Sequence, residues 1–165
     1  MSAHKALCND KFIRRSEKRK IMISKFQFLK QVYSELPAKW EFAKERYKAS
    51  KEFFLQLTNL GLDLKSTVLC TIKSNLHFMS VHFDHMGSLF PKIFMELNVL
   101  EKLINRNNLV LFDQFKITEK KIKKLCDSFL DAECQFLRHC GDFTSLFIDV
   151  LNCADSKLAP LDKVK

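Results

Sequence analysis

The sequence is poor in the residues that turn a chain. Three Gly and three Pro occur among 165 residues, well below the roughly 12% combined that globular chains carry, so tight turns and strand connections have few places to form. The scarcity predicts long helices. Several motifs are also missing. There is no Gly-rich phosphate loop, no Gly-x-Ser-x-Gly elbow and no paired-carboxylate pattern, and nothing calls for a cofactor. These absences predict a protein that is not an enzyme. No uncharged apolar run approaches the ~18 residues needed to span a bilayer, and no Asn-x-Ser/Thr glycan acceptor occurs. The six cysteines, Cys8, Cys70, Cys126, Cys134, Cys140 and Cys153, are irregularly spaced, form no Cys-x-x-Cys pair and follow no secretory leader. Reduced thiols in a cytosolic or nuclear protein are expected.

What is present suits one domain with a sizeable core, since 47% of residues are hydrophobic. The net charge of +9 is uneven: residues 1–25 hold eight Lys/Arg against two acids, two-thirds of the excess. A field concentrated in this way reads as a docking feature for an anionic surface or as an import signal.

Apolar residues recur at alternating spacings of three and four, the pattern that keeps one stripe facing a partner helix. Three blocks result. The first runs Met22, Phe26, Leu29, Tyr33, Leu36, Trp40, Ala43, Tyr47, Ser50, Phe54, Leu57 and loses phase at Asn59-Leu60-Gly61, where Gly suits the position just past a helix end. The second runs Leu69, Ile72, Leu76, Met79, Phe83, Met86, Phe90, Ile93, Leu97, Leu100, Ile104 and stops at Asn105-Arg106-Asn107-Asn108. The third runs Leu111, Phe115, Thr118, Ile122, Leu125, Phe129, Ala132, Phe136, His139, Phe143, Leu146, Val150, Cys153. The expected organisation is a basic N-terminal arm over 1–15, a helical bundle over 16–154 with helices at about 16–59, 63–105 and 109–153, and a disordered tail over 155–165.

Pro37 and Pro91 fall inside the first two stripes, and each removes a backbone donor. The fold class is all-α, a long antiparallel coiled-coil-type three-helix bundle kinked at both prolines. The alternative is a four- or five-helix bundle in which the prolines open new helices. The unbroken phase across them favours kinks. Every a position of the first block is aromatic (Phe26, Tyr33, Trp40, Tyr47, Phe54), and Phe fills four of six in the third. Rings of this volume need the interior of a bundle, not of a two-stranded coil. Apolar residues flank the stripes at Phe53, Leu89, Phe94, Leu103, Phe112 and Phe147, widening the buried face.

Two constellations invite chemistry. His82 and His85, with His77 nearby, place imidazoles on one helical face, but a third and fourth metal ligand would have to come from elsewhere and no comparable pair exists. They read as solvated or edge histidines, with no metal. His139-Cys140 beside Cys134 suggests a thiolate and base, yet adjacent helical residues point about 100° apart. His139 instead lands on the core stripe.

The cations Lys11, Arg14, Arg15, Lys18, Arg19 and Lys20, with Lys116, Lys120, Lys123 and Lys124, are the candidates for binding an anionic surface. Lys39, Lys44, Arg46, Lys48 and Lys51 could extend a basic side along the first helix. Bland surface lysines would look similar. Single-strand nucleic-acid binders expose rings beside their charges, whereas these rings lie on the packing stripe, which argues against nucleic acid.

The third block, with Ile122-Lys123-Lys124-Leu125, Phe129-Leu130, Glu133, Phe136 and Arg138-His139-Cys140, resembles the last helix of BAR-domain proteins. The resemblance implies three long kinked helices, homodimerisation into a six-helix crescent, and binding to anionic membranes. Residues and resemblance together leave three expectations. The chain is a non-enzymatic scaffold or coiled-coil subunit of an intracellular assembly, trafficking or cytoskeletal, partnered by other helical proteins or by itself. Alternatively it is a BAR-like dimer on anionic lipid, cytoplasmic and membrane-peripheral. Or it is a nuclear protein using residues 14–20.

Overall fold

The computed structural model describes the backbone of residues 2–61, 64–106 and 111–158, and side chains over 12–61, 64–106 and 111–153. Three helices pack into an all-α bundle: α1 over Ser2–Asn59, α2 over Ser66–Asn105 and α3 over Leu111–Leu158. No strand occurs among the described residues. Both α1 and α2 continue through their prolines, Pro37 and Pro91. Each proline forfeits one backbone hydrogen bond, and the stripe buried on both sides of it outweighs that loss. The four- or five-helix alternative is thereby overturned.

The helix ends follow local chemistry. α1 closes with Leu60 N–H donating to the Gln56 carbonyl at 3.0 Å, and Gly61 then takes a φ of +62°. The Lys65 carbonyl accepts from Val68 and Leu69 N–H to start α2. Two boundaries differ from expectation. α1 begins at Ser2, so the segment read as an arm is helical backbone; no Gly or Pro interrupts residues 2–36, and Ala, Lys and Arg favour the helix. α3 runs on to Leu158, past the expected tail start at 155, whose remainder lies outside the described residues.

The chain divides into two compact units, and each helix contributes to both. Unit 1 comprises residues 1–37 and 88–129, and unit 2 comprises 38–87 and 130–165. In unit 1, Lys18 meets Phe112 and Lys25 meets Glu119, so α1 and α3 run parallel; Phe90 packs edge-on against Phe129 and Glu96 pairs with Lys121, so α2 runs opposite to α3. Unit 2 repeats the arrangement, with Lys39 on Glu133 and Phe53 on Phe147 between the parallel pair, and Phe83 against Phe136 across the antiparallel one.

Burial follows the stripes. Every stripe position is buried or half-buried except Cys153, which is exposed. Within α1 the smaller residues (Met22, Leu29, Leu36, Ala43, Ser50, Leu57) are the buried ones, while the aromatic positions Phe26, Tyr33, Trp40, Tyr47 and Phe54 are half-buried. In the other helices Leu76, Phe83 and Phe90 are half-buried, and Leu97, Phe129, Phe136 and Phe143 are buried. Phe83 shows why the rings stay near the seam: Trp40 stacks on it at 5.6 Å and Tyr47 tilts against it at 5.5 Å. Gly87 lies against the same indole, where a Cβ would sit 3.4 Å from Trp40 Nε1, at the near edge of ordinary van der Waals contact. Of the apolar flanks, Leu89 and Leu103 are buried and Phe112 and Phe147 half-buried, but Phe53 and Phe94 are exposed, so the buried face is narrower than expected there.

Candidate functional site

The basic segments sit far apart in sequence, yet both belong to unit 1. α1 and α3 are parallel there with a register of 94 residues, the separation of Lys25 and Glu119. Phe112 of α3 joins them: Lys18 Nζ lies 5.0 Å and Lys116 Nζ 4.7 Å from its ring centroid. Two turns on, Glu119 takes Lys25 at 3.3 Å and Lys123 at 3.0 Å. Burial alone would push the Glu119 carboxyl up, but hydrogen bonds from Lys123 and Lys25 outweigh it and hold the group below the usual carboxylate range. Lys121 pairs with Glu96 of α2.

The remaining nominated cations point to solvent. Arg14, Arg15, Arg19, Lys20, Lys120 and Lys124 are exposed and make no ion pair among the described residues. Lys11 falls outside the described side chains. Division by unit sharpens the charge: unit 1 holds 17 Lys/Arg against 8 Asp/Glu, a net +9, and unit 2 holds 11 against 11. The whole excess of the protein therefore belongs to one unit. Exposed apolar residues accompany it, with Ile117 69% exposed among Lys116, Lys120, Lys121 and Lys124.

The cations expected to extend a basic side along α1 mostly serve packing in unit 2. Lys44 lies 5.5 Å from the Trp40 ring centre and Lys51 4.5 Å from that of Tyr47; in unit 1, Lys30 covers Phe26 at 5.5 Å. Each lysine follows its ring by four residues, where a helical side chain reaches back over the preceding turn, and its stem shields the outer edge of the ring. Lys39 pairs with Glu133 at 3.3 Å. This cover, and the Lys–Glu pairs flanking the stripes, escaped a reading centred on apolar positions. The signal was present in lysines and glutamates recurring at multiples of seven beside the stripe.

Unit 2 carries the imidazoles. His82 stacks on His139 with ring centres 5.6 Å apart, Phe78 stacks on His139 at 4.9 Å, and Asn75 Oδ1 lies 3.4 Å from His139 Nδ1. His77 and His85 are exposed. No cluster of three or more His, Cys, Asp or Glu among the described residues could hold a metal ion. Burial first, then the neighbouring His139 and His85, push the His82 pKa down against the opposing pull of Asp131. Cys140 faces Ser50 and Arg46 of α1, while His139 faces α2, so these adjacent residues serve different neighbours. Burial pushes the Cys126 and Cys140 thiols up, away from the reactive thiolate. No described helix is long and apolar enough to cross a membrane. Comparison with protein families, with curated proteins and with solved structures finds no match to this chain.

Proposed function

We propose that the chain is a non-enzymatic helical scaffold or interaction protein, a subunit of a larger intracellular assembly, and that unit 1 is the half that docks. One observation carries this reading: the net charge of +9 belongs entirely to unit 1, where the cationic start of α1 and the lysines of α3 follow one another along the helix pair and meet at Phe112. Charge gathered on one half attracts and orients an anionic counterpart, whereas the neutral half adds nothing to that steering.

The test is a pair of charge reversals on exposed residues. Replacing Arg14, Arg15, Lys120 and Lys124 by Glu is expected to cut the salt needed to elute the protein from a polyanionic column by about half. The same replacement at Lys48, Lys65, Lys73 and Arg138 in unit 2 is expected to change elution far less. Equal shifts would refute the assignment to unit 1.

A second reading, the BAR-like one, makes the counterpart an anionic membrane. The exposure of Ile117 within a lysine cluster favours it, because an apolar tip amid cations suits the interfacial zone of a bilayer. Co-sedimentation with vesicles should then rise with acidic lipid and fall on Ile117→Ser. Indifference to acidic lipid would exclude this reading.

A further inference from the structure

The parallel pairing of α1 and α3 stops short of the start of α1. With a register of 94 residues, Leu111, the first residue of α3, is level with Glu17, and α2 has already ended at Asn105. α1 nevertheless begins at Ser2, so its residues before Glu17 form a helix with no opposite number in α3. The heptad does not stop with the partner. Phe12, Arg15 and Arg19 occupy the next stripe positions ahead of Met22, and side chains Phe12–Lys20 are all exposed. Phe12 is 71% exposed, although the other aromatic stripe positions of α1 are all half-buried.

The column just before the aromatic stripe says what would cover this stretch. It runs Lys11, Lys18, Lys25, Val32, Lys39, Arg46, Phe53. α3 supplies a carboxylate to two of these lysines, Glu119 to Lys25 and Glu133 to Lys39. Lys18 rests over the Phe112 ring with no carboxylate partner among the described residues, and Lys11 lies one heptad earlier, ahead of the start of α3. Residues 11–20 hold six cations against Glu17 alone. A seat with one apolar stripe residue, two arginines on the stripe and lysines at heptad spacing beside it is complementary to a helix carrying acids at the same spacing.

We propose that the free start of α1 seats an acidic amphipathic helix of a partner protein, which continues the packing that α3 leaves off. The proposal rests on unit 1 being the docking half and names what docks there. The experiment titrates the full-length chain with a synthetic peptide of about three heptads, Leu on its stripe and Glu at the flanking positions. Comparison ligands are a scrambled peptide of identical composition, phosphatidylserine-containing vesicles and a DNA duplex. The heptad peptide is expected to bind about tenfold more tightly than the scrambled one. Phe12→Ser and Lys18→Glu should each weaken it several-fold, and Lys73→Glu in unit 2 should leave it unchanged. Phe12 and Lys18 are exposed, and an unaltered far-UV spectrum would confirm that the variants fold.

Equal binding of the two peptides overturns the proposal. So does tighter binding of vesicles or duplex that ignores Phe12→Ser, although unit 1 would then stand as the docking half. Failure of every anion to bind would remove both readings.

Discussion

Gly61 holds its backbone in the left-handed region, where a side chain is strained, so Gly61→Ala should lower stability by about 1 kcal/mol. Gly141 is the reverse case. It lies within α3, and a Cβ added there would meet nothing within 4 Å, so Gly141→Ala should raise stability by about 0.5–1 kcal/mol through helix propensity. Denaturant midpoints check both signs, and a loss at Gly141 would show that its exposed face is occupied. The histidine stack sets a pH dependence. His82 has a lowered pKa in the fold, so the unfolded chain takes up the proton first; stability is full above about 6.5 and declines as pH falls towards the folded value. Glu119 adds a second loss at lower pH, because its depressed carboxyl favours the fold only while ionised. His82→Gln is expected to flatten the decline in melting temperature that sets in below about pH 6.5 and to leave the later one due to Glu119. A decline of unchanged slope would mean that other groups drive it.

Along the helices, the Lys39–Glu133 pair tests the parallel arrangement of α1 and α3 in unit 2. Lys39→Glu and Glu133→Lys should each destabilise, and the double exchange should recover about 0.5–1 kcal/mol, a modest coupling because the lysine is partly exposed. Additive losses would argue against the pairing. The stripes that carry the fold were legible because apolar periodicity survives in a single sequence; Ile72, Met79, Met86 and Ile93 are all fully buried, as their spacing implies. The start of α1 was not, since Phe12 and the cations around it lack the apolar density that marks a packed segment. Nor was the split within the α1 stripe. Spacing marks Phe26 and Leu29 as equals, whereas ring volume leaves the first half-buried with Lys30 over it and sinks the second.

For the molecule as a whole, the division of charge was hidden because unit 1 joins two stretches of chain separated by fifty residues of unit 2. Within unit 1 like charges repel, so added salt should raise the melting temperature by a few degrees as it screens them. The Glu119 pairs are partly shielded from that screening by burial of the carboxylate. A fall in melting temperature with salt would show that flanking ion pairs outweigh the repulsion. The candidate cations were readable as residues. Their assembly around Phe112 and Glu119 was not, because it depends on the register between helices that are not consecutive.

That register also limits how the length of the protein can change. One residue inserted within α3 would rotate everything beyond it by about 100° and set the lysines of α1 against the wrong side of its neighbour. Seven residues would restore the face, and residues added between helices would cost little. Relatives of this chain should therefore differ inside their helices by whole heptads, and by any number only between them.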